Sequence, residues 1–459
     1  MGSHRRAGRH TPMNRERTPL APATEARLRE IDFTDILVGI PSYNNAATVG
    51  HVVRAVGAGL AKYFPAERAV LVNADGGSSD DTAAVVARTA VDHRQLLIAD
   101  RQSVLHRIVT PYHGIPGKGS AFRTIFEIAR RLNARACAVV DADLRSISPE
   151  WIEMLLRPTV EEGFDYVAPF YLRHKYDGTI TNSLAYPLTR ALYGKRLRQP
   201  IGGEFGFSGA LAAHYLDQHV WESEVARFGI DIWMTTEAIA CGARVCQSFL
   251  GAKIHNPKDP ASDLSDMLRQ VVGSLFASME RHAAVWSTVK GSHPVPLLGF
   301  PYEVSVEPVH VDVDRMVSHF QQGLADLAPL WQEILSPATF EHLMDLNREG
   351  RNACRIPDEL WSRIVFDAAA SYHHQVLPRE HLLKCLTPLY LGRTASFVLA
   401  TMGLTSVEAE RAIEQLCVTF ESGKPYLLKR WDEHQADRAG RSALTRTTPE
   451  SGGPYERLY

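Results

Sequence analysis

Short apolar runs and amphipathic segments alternate along the first half of the chain. Apolar runs bounded by polar residues begin near Asp35, Arg68, residue 103, Cys137 and Phe164. Runs of this length are typical of buried strands. Between them, small and apolar residues recur at helical spacing. Strand and helix segments that alternate in this way predict βαβ units and a parallel sheet.

The second half of the chain has a different pattern. Beyond Pro294 the apolar residues follow helical spacing, and capping signals begin two of the segments at Ser336 and Thr405. No strand pattern of comparable quality occurs there. The predicted helices cover 311–336, 357–374, 379–402 and 405–431. The predicted fold class is therefore α/β, a doubly wound, mostly parallel sheet followed by a helical C-terminal domain.

Composition changes at both ends of the chain. Residues 1–24 are rich in Arg, His, Thr and Pro without apolar periodicity, which indicates a disordered leader. The last stretch is charged and contains Gly, Pro and Thr. We expect the α/β domain over 25–290, the helical domain over 291–432 and a loose tail over 433–459.

Overall composition excludes several classes of protein. The chain is 45% hydrophobic and 22% charged, with a formal net charge of -2, which gives no general attraction to nucleic acid or anionic membranes. It lacks an uncharged apolar run of about 18 residues. Its six cysteines form no Cys-x-x-Cys pair, which favours reduced core thiols. We expect a cytoplasmic protein without a nucleic-acid or membrane partner.

The strand from Cys137 ends abruptly in two acids, Asp141 and Asp143. Side chains two residues apart on an extended segment point to the same side, and ligands bind at the carboxyl ends of strands in open α/β sheets. Paired carboxylates there suit Mg²⁺ or Mn²⁺, which prefer oxygen ligands and leave positions for phosphate. The alternative is a strand end capped by an Asx turn.

Two further polar loops follow the first two strands. In Pro41-Ser-Tyr-Asn-Asn45, the Tyr43 ring is placed to lie along a base and Asn45 to hydrogen-bond its edge. In the next loop, Asp75 is placed to bind a base or ribose, and Ser78 or Ser79 begins a helix. The glycine pair between them, which starts at Gly76, lets the backbone approach a ligand. Plain turns are the alternative reading of both loops.

The segment Gly114-Ile-Pro-Gly-Lys-Gly-Ser120 resembles a phosphate loop without matching the P-loop pattern. Glycine amides and the charge of Lys118 suit a diphosphate, whereas a flexible turn with a solvated lysine is the alternative. The first strand is not followed by Gly-x-Gly-x-x-Gly, so a nicotinamide enzyme is disfavoured.

Three more side chains are candidates for the same site. His255 follows a strand candidate and is a candidate third metal ligand. Glu204 and Asp231 stand in Gly-rich or apolar surroundings and are suited to hold sugar hydroxyls or orient an acceptor. A histidine of the surface or core, and acids that cap helices or turns, are the ordinary alternatives.

Taken in order, these motifs resemble those of the GT-A nucleotide-sugar glycosyltransferases. More narrowly, the chain is similar to glucosyl-3-phosphoglycerate synthases and to the related mannosylglycerate and glucosylglycerate synthases. The resemblance covers about residues 35–290. It is carried by Pro41-Ser-Tyr-Asn-Asn45, Asp75-Gly-Gly-Ser-Ser-Asp-Asp81, Gly117-Lys-Gly119, Asp141-Ala-Asp143, Gly203-Glu-Phe205 and His255.

The resemblance implies roles by position. It implies metal ligands at Asp141, Asp143 and His255, and Asp231 and Glu204 as the acids at the donor sugar. It also implies retention of anomeric configuration, with Lys118 near the diphosphate. The implied nucleotide-sugar-binding residues are Pro41, Tyr43, Asn45, Asp75, Gly76, Ser78, Gly117, Lys118, Asp141 and Ala142.

Several positions depart from the family pattern. Thr179 stands where the members that use 3-phosphoglycerate have Arg, and Asn256 stands where a basic residue is expected. The loss of these cations weakens a phosphate site and favours D-glycerate, with Thr181 at its carboxylate. A basic cluster formed by Arg190, Lys195, Arg196 and Arg198 keeps the phosphorylated acceptor open. Asn45 stands where the family often has an acid, which leaves UDP and GDP open.

The sequence therefore predicts a metal-dependent retaining enzyme that moves a hexose, with glucose favoured over mannose, from a nucleotide sugar to D-glycerate or a similar small acid. The alternatives are 3-phosphoglycerate or a glycosylglycerate as acceptor, GDP-mannose as donor, a nucleotidyltransferase, and a non-catalytic nucleotide-sugar binding module. The C-terminal helices cover the acceptor pocket, form a dimer interface or pack without a catalytic role. We expect a homodimer.

Overall fold

The structure is a computed structural model that describes residues 19–89, 105–112, 114–254, 264–302, 306, 308–348 and 355–445. Its strands are β1 (Ile36–Ser42), β2 (Ala69–Asp75), β3 (Leu105–Pro111), β4 (Ala136–Val139), β5 (Tyr166–Leu172), β6 (Lys195–Arg196), β7 (Phe205–Ser208), β8 (Val245–Ala252), β9 (His293–Pro294) and β10 (Leu297–Leu298). Its helices in the first half are α1 (Pro22–Ile31), α2 (Val49–Tyr63), α3 (Thr82–Arg88), α4 (Lys118–Arg131), α5 (Pro149–Glu161), α6 (Tyr186–Tyr193), α7 (Gly209–Leu216), α8 (Ile230–Ala240), α9 (Ser265–Arg281) and α10 (Ala283–Trp286).

Six helices of different lengths follow in the described residues of the second half. They are α11 (Val313–Asp326), α12 (Ala328–Ile334), α13 (Pro337–Arg348), α14 (Asp358–His374), α15 (Arg379–Thr401) and α16 (Ser406–Thr445). Pro329 stands in the first turn of α12 and explains why the predicted helix 311–336 is two helices, since proline cannot donate to the preceding turn.

An eight-stranded sheet organises the first half, in the spatial order β10-β8-β5-β7-β4-β1-β2-β3. Strand β7 runs antiparallel to β4 and β5, and the other pairs in this sheet are parallel. All seven residues of β1 are buried, as expected for a central strand covered on both faces.

Helices cover both faces of this sheet. On one face, α2 and α5 pack against Ile36, Val38 and Ile40 of β1. On the other face, α4 packs with α7 and buries Leu37 of β1. Side chains of a strand alternate between the faces, so both layers follow from one apolar run. The predicted fold class is confirmed: α/β with a doubly wound, mostly parallel sheet and a helical C-terminal region.

The C-terminal helices share a hydrophobic core with part of the first half. This core combines α6 and α9 with α11 to α16. For example, the Trp361 indole of α14 donates to the carbonyl of Ser183 at 2.7 Å. Strand β10 pairs with β8 and extends the sheet past residue 290. The domain division at 290 stays a prediction, because core and sheet both cross that position.

Both predicted ends need correction. Helix α1 begins at Pro22, inside the segment 1–24 predicted as leader, and it buries Leu28 and Ile31. Its helix-forming residues and first-turn proline explain the helix. Helix α16 continues to Thr445, although residues from 433 were predicted to be loose. Charged residues with high helix propensity extend it there.

Membrane insertion by a helix finds no support within the described ranges. None of their helices combines the length and the apolar character that crossing a bilayer requires.

Candidate active site

The loops after β1 and β2 meet because the two strands end side by side. Ser42 stands opposite Asp75 in the parallel register, and its hydroxyl donates to Asp75 Oδ1 at 2.9 Å. Asp75 Oδ2 accepts from the amides of Gly77 and Ser78 at 3.1 and 2.9 Å, and the Ser78 hydroxyl donates to Oδ1 at 2.7 Å. The predicted neighbours Asp75 and Ser78 therefore lie together, and the Asp75 carboxylate first of all fixes its own loop.

Two tyrosines flank Gly76 at this edge of the sheet. A Cβ on Gly76 would lie 2.8 Å from Tyr112 Oη and 3.2 Å from Tyr43 Cδ2. Tyr43 is 62% exposed, so its ring is available to a ligand. Asn45 Oδ1 accepts a hydrogen bond from the Tyr43 backbone amide at 2.9 Å, which stabilises the backbone at Tyr43. Tyr112 was not predicted, because it follows β3 without a recognisable motif.

Pro41 and Ala142 contribute to the backbone structure at the same edge of the sheet. Pro41 is buried within β1, where it pairs with Ala74 of β2. The carbonyl of Ala142 accepts from the Thr48 hydroxyl at 2.8 Å, which ties the loop after β4 to the start of α2.

The glycines around Lys118 have a packing role that the sequence did not reveal. A Cβ on Gly117 would lie 2.6 Å from the carbonyl oxygen of Ala226, and one on Gly119 would collide with the Val225 carbonyl. The Gly117 amide donates to Tyr112 Oη at 3.1 Å, and the Gly119 amide donates to the Arg227 carbonyl at 3.1 Å. Both amides are thus already paired, which corrects their assignment as bare phosphate donors.

Lys118 lies between two carboxylates from distant parts of the chain. Its ammonium is 2.7 Å from Asp141 Oδ1 at the end of β4 and 3.1 Å from Asp231 Oδ2 in the first turn of α8. All three side chains are less than a quarter exposed. The predicted residues Lys118, Asp141 and Asp231 are therefore brought together at the edge of the sheet.

A second ammonium, from Lys253, completes this cluster. It lies 2.9 Å from both Glu204 oxygens, 2.8 Å from the Gly202 carbonyl and 3.5 Å from Asp141 Oδ2. The Tyr171 hydroxyl donates to Glu204 Oε2. Lys253 was not predicted as a site residue; its position just after β8, two residues before His255, was the available signal. We call Lys118, Asp141, Glu204, Asp231 and Lys253 the charge cluster.

Gly203 lets Asp141 and Lys253 approach each other. Its φ of +94° lies in the left-handed region, and a Cβ there would collide with Asp141 Oδ2 and lie 3.0 Å from Lys253 Nζ. In the Gly-Glu-aromatic motif, Gly203 thus leaves the space that Asp141 occupies, and Glu204 provides the carboxylate that pairs with Lys253.

Burial and neighbouring charges shift the acidities in the charge cluster. Burial raises the pKa of Glu204 to about 7 and also raises the pKa of Asp231. Burial acts in the same direction on Asp141, but the Lys118 and Lys253 ammoniums outweigh it and hold that pKa well below its usual range. Burial lowers the pKa of Lys118, yet Asp141 and Asp231 more than offset this and keep it protonated.

The predicted metal ligands are placed only in part. Asp143 is half-buried beside Asp141, and its carboxylate makes no hydrogen bond or ion pair within the described part of the chain. His255 lies outside the described residues. Among those that are described, no three His, Cys, Asp or Glu side chains form a group suited to hold a metal. Asp141 and Asp143 thus offer two carboxylates, and that of Asp143 has no partner among the described residues. This pair fits a divalent cation that needs a further ligand.

The predicted acceptor residues lie under the C-terminal helices. Thr179 is 5% exposed, and its hydroxyl lies 2.5 Å from Tyr390 Oη of α15. Thr181 is buried at the start of a π-helical turn, Thr181–Ala185. Their role in acceptor binding stays a prediction, because their side chains contact α15 or the core.

Solved structures of glucosyl-3-phosphoglycerate synthase from Mycobacterium tuberculosis resemble this chain. The complex with Mg²⁺ and uridine diphosphate is 21% identical, covers 55% of this chain and 83% of its own, and has a TM-score of 0.41. A complex with Mn²⁺, UDP-glucose and phosphoglyceric acid is 22% identical, covers 56% and 83%, and has a TM-score of 0.40. No protein-family model and no curated protein matches the chain.

Proposed function

We propose that this protein is a metal-dependent glycosyltransferase that moves a hexosyl group from a nucleotide sugar to a hydroxy acid. The observation that carries this proposal is the charge cluster, which gathers two ammoniums and three carboxylates at the carboxyl edge of the sheet. Such an edge is where open α/β sheets bind nucleotides. The order of the motifs along the chain, which resembles that of nucleotide-sugar glycosyltransferases, supports the same reading.

The donor nucleotide is assigned to the loops after β1, β2 and β3. Gly76 keeps a gap between the Tyr43 and Tyr112 rings that suits a flat base. Lys118 of the charge cluster carries the positive charge that a diphosphate requires. Asn45 Oδ1 and Ser78 Oγ accept hydrogen bonds from the backbone amides of Tyr43 and Asn44, which stabilises the loop after β1. Uridine or guanosine is the nucleoside proposed to bind there.

A divalent cation is assigned to Asp141 and Asp143, with His255 as a proposed third ligand. The half-buried carboxylate of Asp143 has no partner among the described residues and is suited to a hard cation. Mg²⁺ or Mn²⁺ bound there would neutralise negative charge that develops on the leaving diphosphate. Lys118 contributes positive charge beside the same carboxylate of Asp141.

Asp231 and Glu204 are assigned to the transferred sugar. Asp231 Oδ1 is buried without a hydrogen-bond partner, whereas Oδ2 is held by Lys118. A sugar hydroxyl would satisfy this free oxygen. Glu204 is fully buried and clamped by Lys253 and Tyr171, so it is held in a fixed orientation. Retention of configuration is the outcome that the family resemblance implies.

The proposal is tested by incubating the protein with Mg²⁺ or Mn²⁺, UDP-glucose or GDP-mannose, and D-glycerate or 3-phosphoglycerate. We expect release of nucleoside diphosphate together with an α-glycoside, read by coupled assay and by NMR. Pyrophosphate as the product would identify a nucleotidyltransferase instead. Nucleotide-sugar binding without any turnover would overturn the enzyme assignment in favour of a binding module.

A further inference from the structure

A cavity of about 350 Å³ lies between the segment that follows β5 and the beginning of α16. Tyr171 and Gln199 line it from the α/β half, and Val407 lines it from α16. Tyr171 also joins it to the charge cluster, because its hydroxyl donates to Glu204. Tyr171 therefore connects the charge cluster with a cavity that extends towards the C-terminal helices.

Unpartnered polar atoms are concentrated in this cavity's lining. Arg198 Nη1, Gln199 Oε1 and Arg173 Nε are buried and have no hydrogen-bond partner. Arg198 is 8% exposed and Gln199 4%. A buried polar group without a partner costs about 1–3 kcal/mol, so a ligand is the expected partner. Guanidinium groups only donate and an amide oxygen only accepts, so this ligand must present both acceptors and donors.

The cavity lining carries four basic side chains, Arg173, Lys175, Arg198 and Arg411, and three acidic ones, Asp177, Glu410 and Glu414. The Lys175 ammonium is occupied by the carbonyls of Thr401, Met402 and Leu404. Arg198 is held by Glu410 of α16 at 2.6 and 2.9 Å and by Asn182 at 2.9 Å. Its charge is therefore balanced, and its free nitrogen suits a hydroxyl. Arg173 lies 3.8 Å from Asp177, which is longer than a hydrogen bond, and its guanidinium carbon is 5.1 Å from the centroid of the Tyr171 ring. Arg173 is the cation best placed for an anionic group of the ligand.

The size and surface of the cavity indicate a ligand that contains a sugar. Pockets of roughly 300–1,000 Å³ accommodate drug-sized ligands, whereas a three-carbon acid would leave most of this volume to water. The rings of Phe170, Tyr171 and His174 line it and offer flat surfaces for the carbon–hydrogen face of a pyranose. The polar atoms between these rings are suited to its hydroxyls.

We propose that this cavity is the acceptor subsite and that the acceptor is a sugar-containing acid, such as a hexosyl glycerate or a disaccharide acid, rather than a three-carbon acid. This inference rests on the proposed function and specifies its acceptor. Arg173 binds the carboxylate, Arg198 and Gln199 bind hydroxyls, and α16 forms the outer wall.

Filling the cavity from α16 tests the inference. Val407 is 64% exposed, so Val407→Trp narrows the cavity without disturbing the core, and Val418→Trp is a matched control on the same helix at a 43% exposed position outside the lining. With saturating donor, we expect wild type to use glucosylglycerate or maltobionate at least about tenfold better than D-glycerate in kcat/KM. Val407→Trp should lower kcat/KM for the sugar acids at least about tenfold more than it lowers kcat/KM for D-glycerate, and Val418→Trp should match wild type.

Saturation-transfer NMR with maltobionate and no donor separates this inference from the proposed function. If no donor is consumed, yet maltobionate binds and Val407→Trp weakens it, the glycosyltransferase assignment fails and the ligand class stands. If donor is consumed but D-glycerate is the better acceptor, or Val407→Trp has no effect, the inference fails and the glycosyltransferase stands. Absence of both turnover and binding overturns both.

Discussion

The ammonium of Lys253 lies 2.9 Å from each carboxylate oxygen of Glu204, and both side chains are buried. The pair joins the end of β8 to the Gly-rich segment before β7. Because neither charge has access to bulk water, each depends on the other for its stabilisation.

Removal of one member of this pair should destabilise the protein. Lys253→Met leaves Glu204 buried without its cation, and we expect the free energy of unfolding to fall by about 3–5 kcal/mol. Lys253→Met combined with Glu204→Gln should recover much of this loss but no turnover. Urea unfolding and nucleoside diphosphate release provide the two readouts.

An exposed ion pair provides the control for that experiment. Lys62 lies 3.1 Å from Glu150, and both side chains are more than half exposed. Lys62→Met should change the free energy of unfolding by less than about 1 kcal/mol. Equal effects of the two lysine variants would contradict the role assigned to burial of the Lys253–Glu204 pair.

Asp143 should matter for catalysis and not for stability. Its carboxylate has no partner among the described residues, so Asp143→Ala is expected to leave the melting temperature unchanged. Turnover should fall by at least about 100-fold and no longer respond to Mn²⁺, because a metal ligand is lost. The exposed acid Glu222, changed to Ala, serves as control. Metal-stimulated turnover in Asp143→Ala at the wild-type level would remove Asp143 from the metal site.

Alanine variants of Gly203 and Gly242 separate the cost of backbone strain from the cost of a steric clash at the Cβ. Both have φ in the left-handed region, +94° and +81°, but a Cβ on Gly242 would meet nothing within 4 Å. Gly242→Ala should therefore cost about 1 kcal/mol of stability and leave activity intact. Gly203→Ala should cost more, roughly 2–3 kcal/mol, and abolish turnover because its Cβ displaces Asp141. Similar activity in both variants would show that the contact with Asp141 is unimportant.

Because of Lys424, the free energy of unfolding should change with pH in the alkaline range. It is 5% exposed and donates to the carbonyls of Trp286 and Val289, both at 2.6 Å. Burial lowers its pKa from 10.5 to about 8. Between these values the unfolded chain binds more protons than the folded one, so the free energy of unfolding rises with pH, by up to about 3 kcal/mol.

Comparison with two variants isolates this titration. Lys424→Met should lack the rise between pH 8 and 10.5, whereas Lys429→Met, at a 77% exposed position of α16, should retain it. Urea unfolding across this range measures the slopes. Parallel slopes for wild type and Lys424→Met would contradict a lowered Lys424 pKa.

The sheet and one edge of the site followed from the sequence for a physical reason. Buried parallel strands are short apolar runs, and their carboxyl ends meet at one edge, so Asp75, Lys118 and Asp141 could be placed together from the pattern alone. Asp231 and Glu204 were candidates because of their Gly-rich or apolar surroundings, and the family resemblance implied their role at the donor sugar. The structure brings Lys118, Asp141, Asp231 and Glu204 into one cluster.

Contacts between distant segments were beyond sequence reasoning. Nothing near Lys253 indicates that it pairs with Glu204, because that contact depends on how β8 and β7 are arranged around β5. Gly119 has the composition of a phosphate loop, yet the approach of the Val225 backbone is what requires it. Thr179 was assigned to the acceptor from its position in the family pattern, whereas its contact with Tyr390 of α15 joins segments that the sequence does not show to be neighbours.

The core shared by α6, α9 and α14 to α16 has an evolutionary consequence. The residues proposed to act on the glycosidic bond lie in helices and loops of the α/β half, whereas the outer wall of the neighbouring cavity belongs to α16. Substitutions on that helix can alter which molecule is glycosylated while the bond-making apparatus is left untouched. The helical half is thus the part of the gene in which new acceptor preferences should accumulate as the protein diverges.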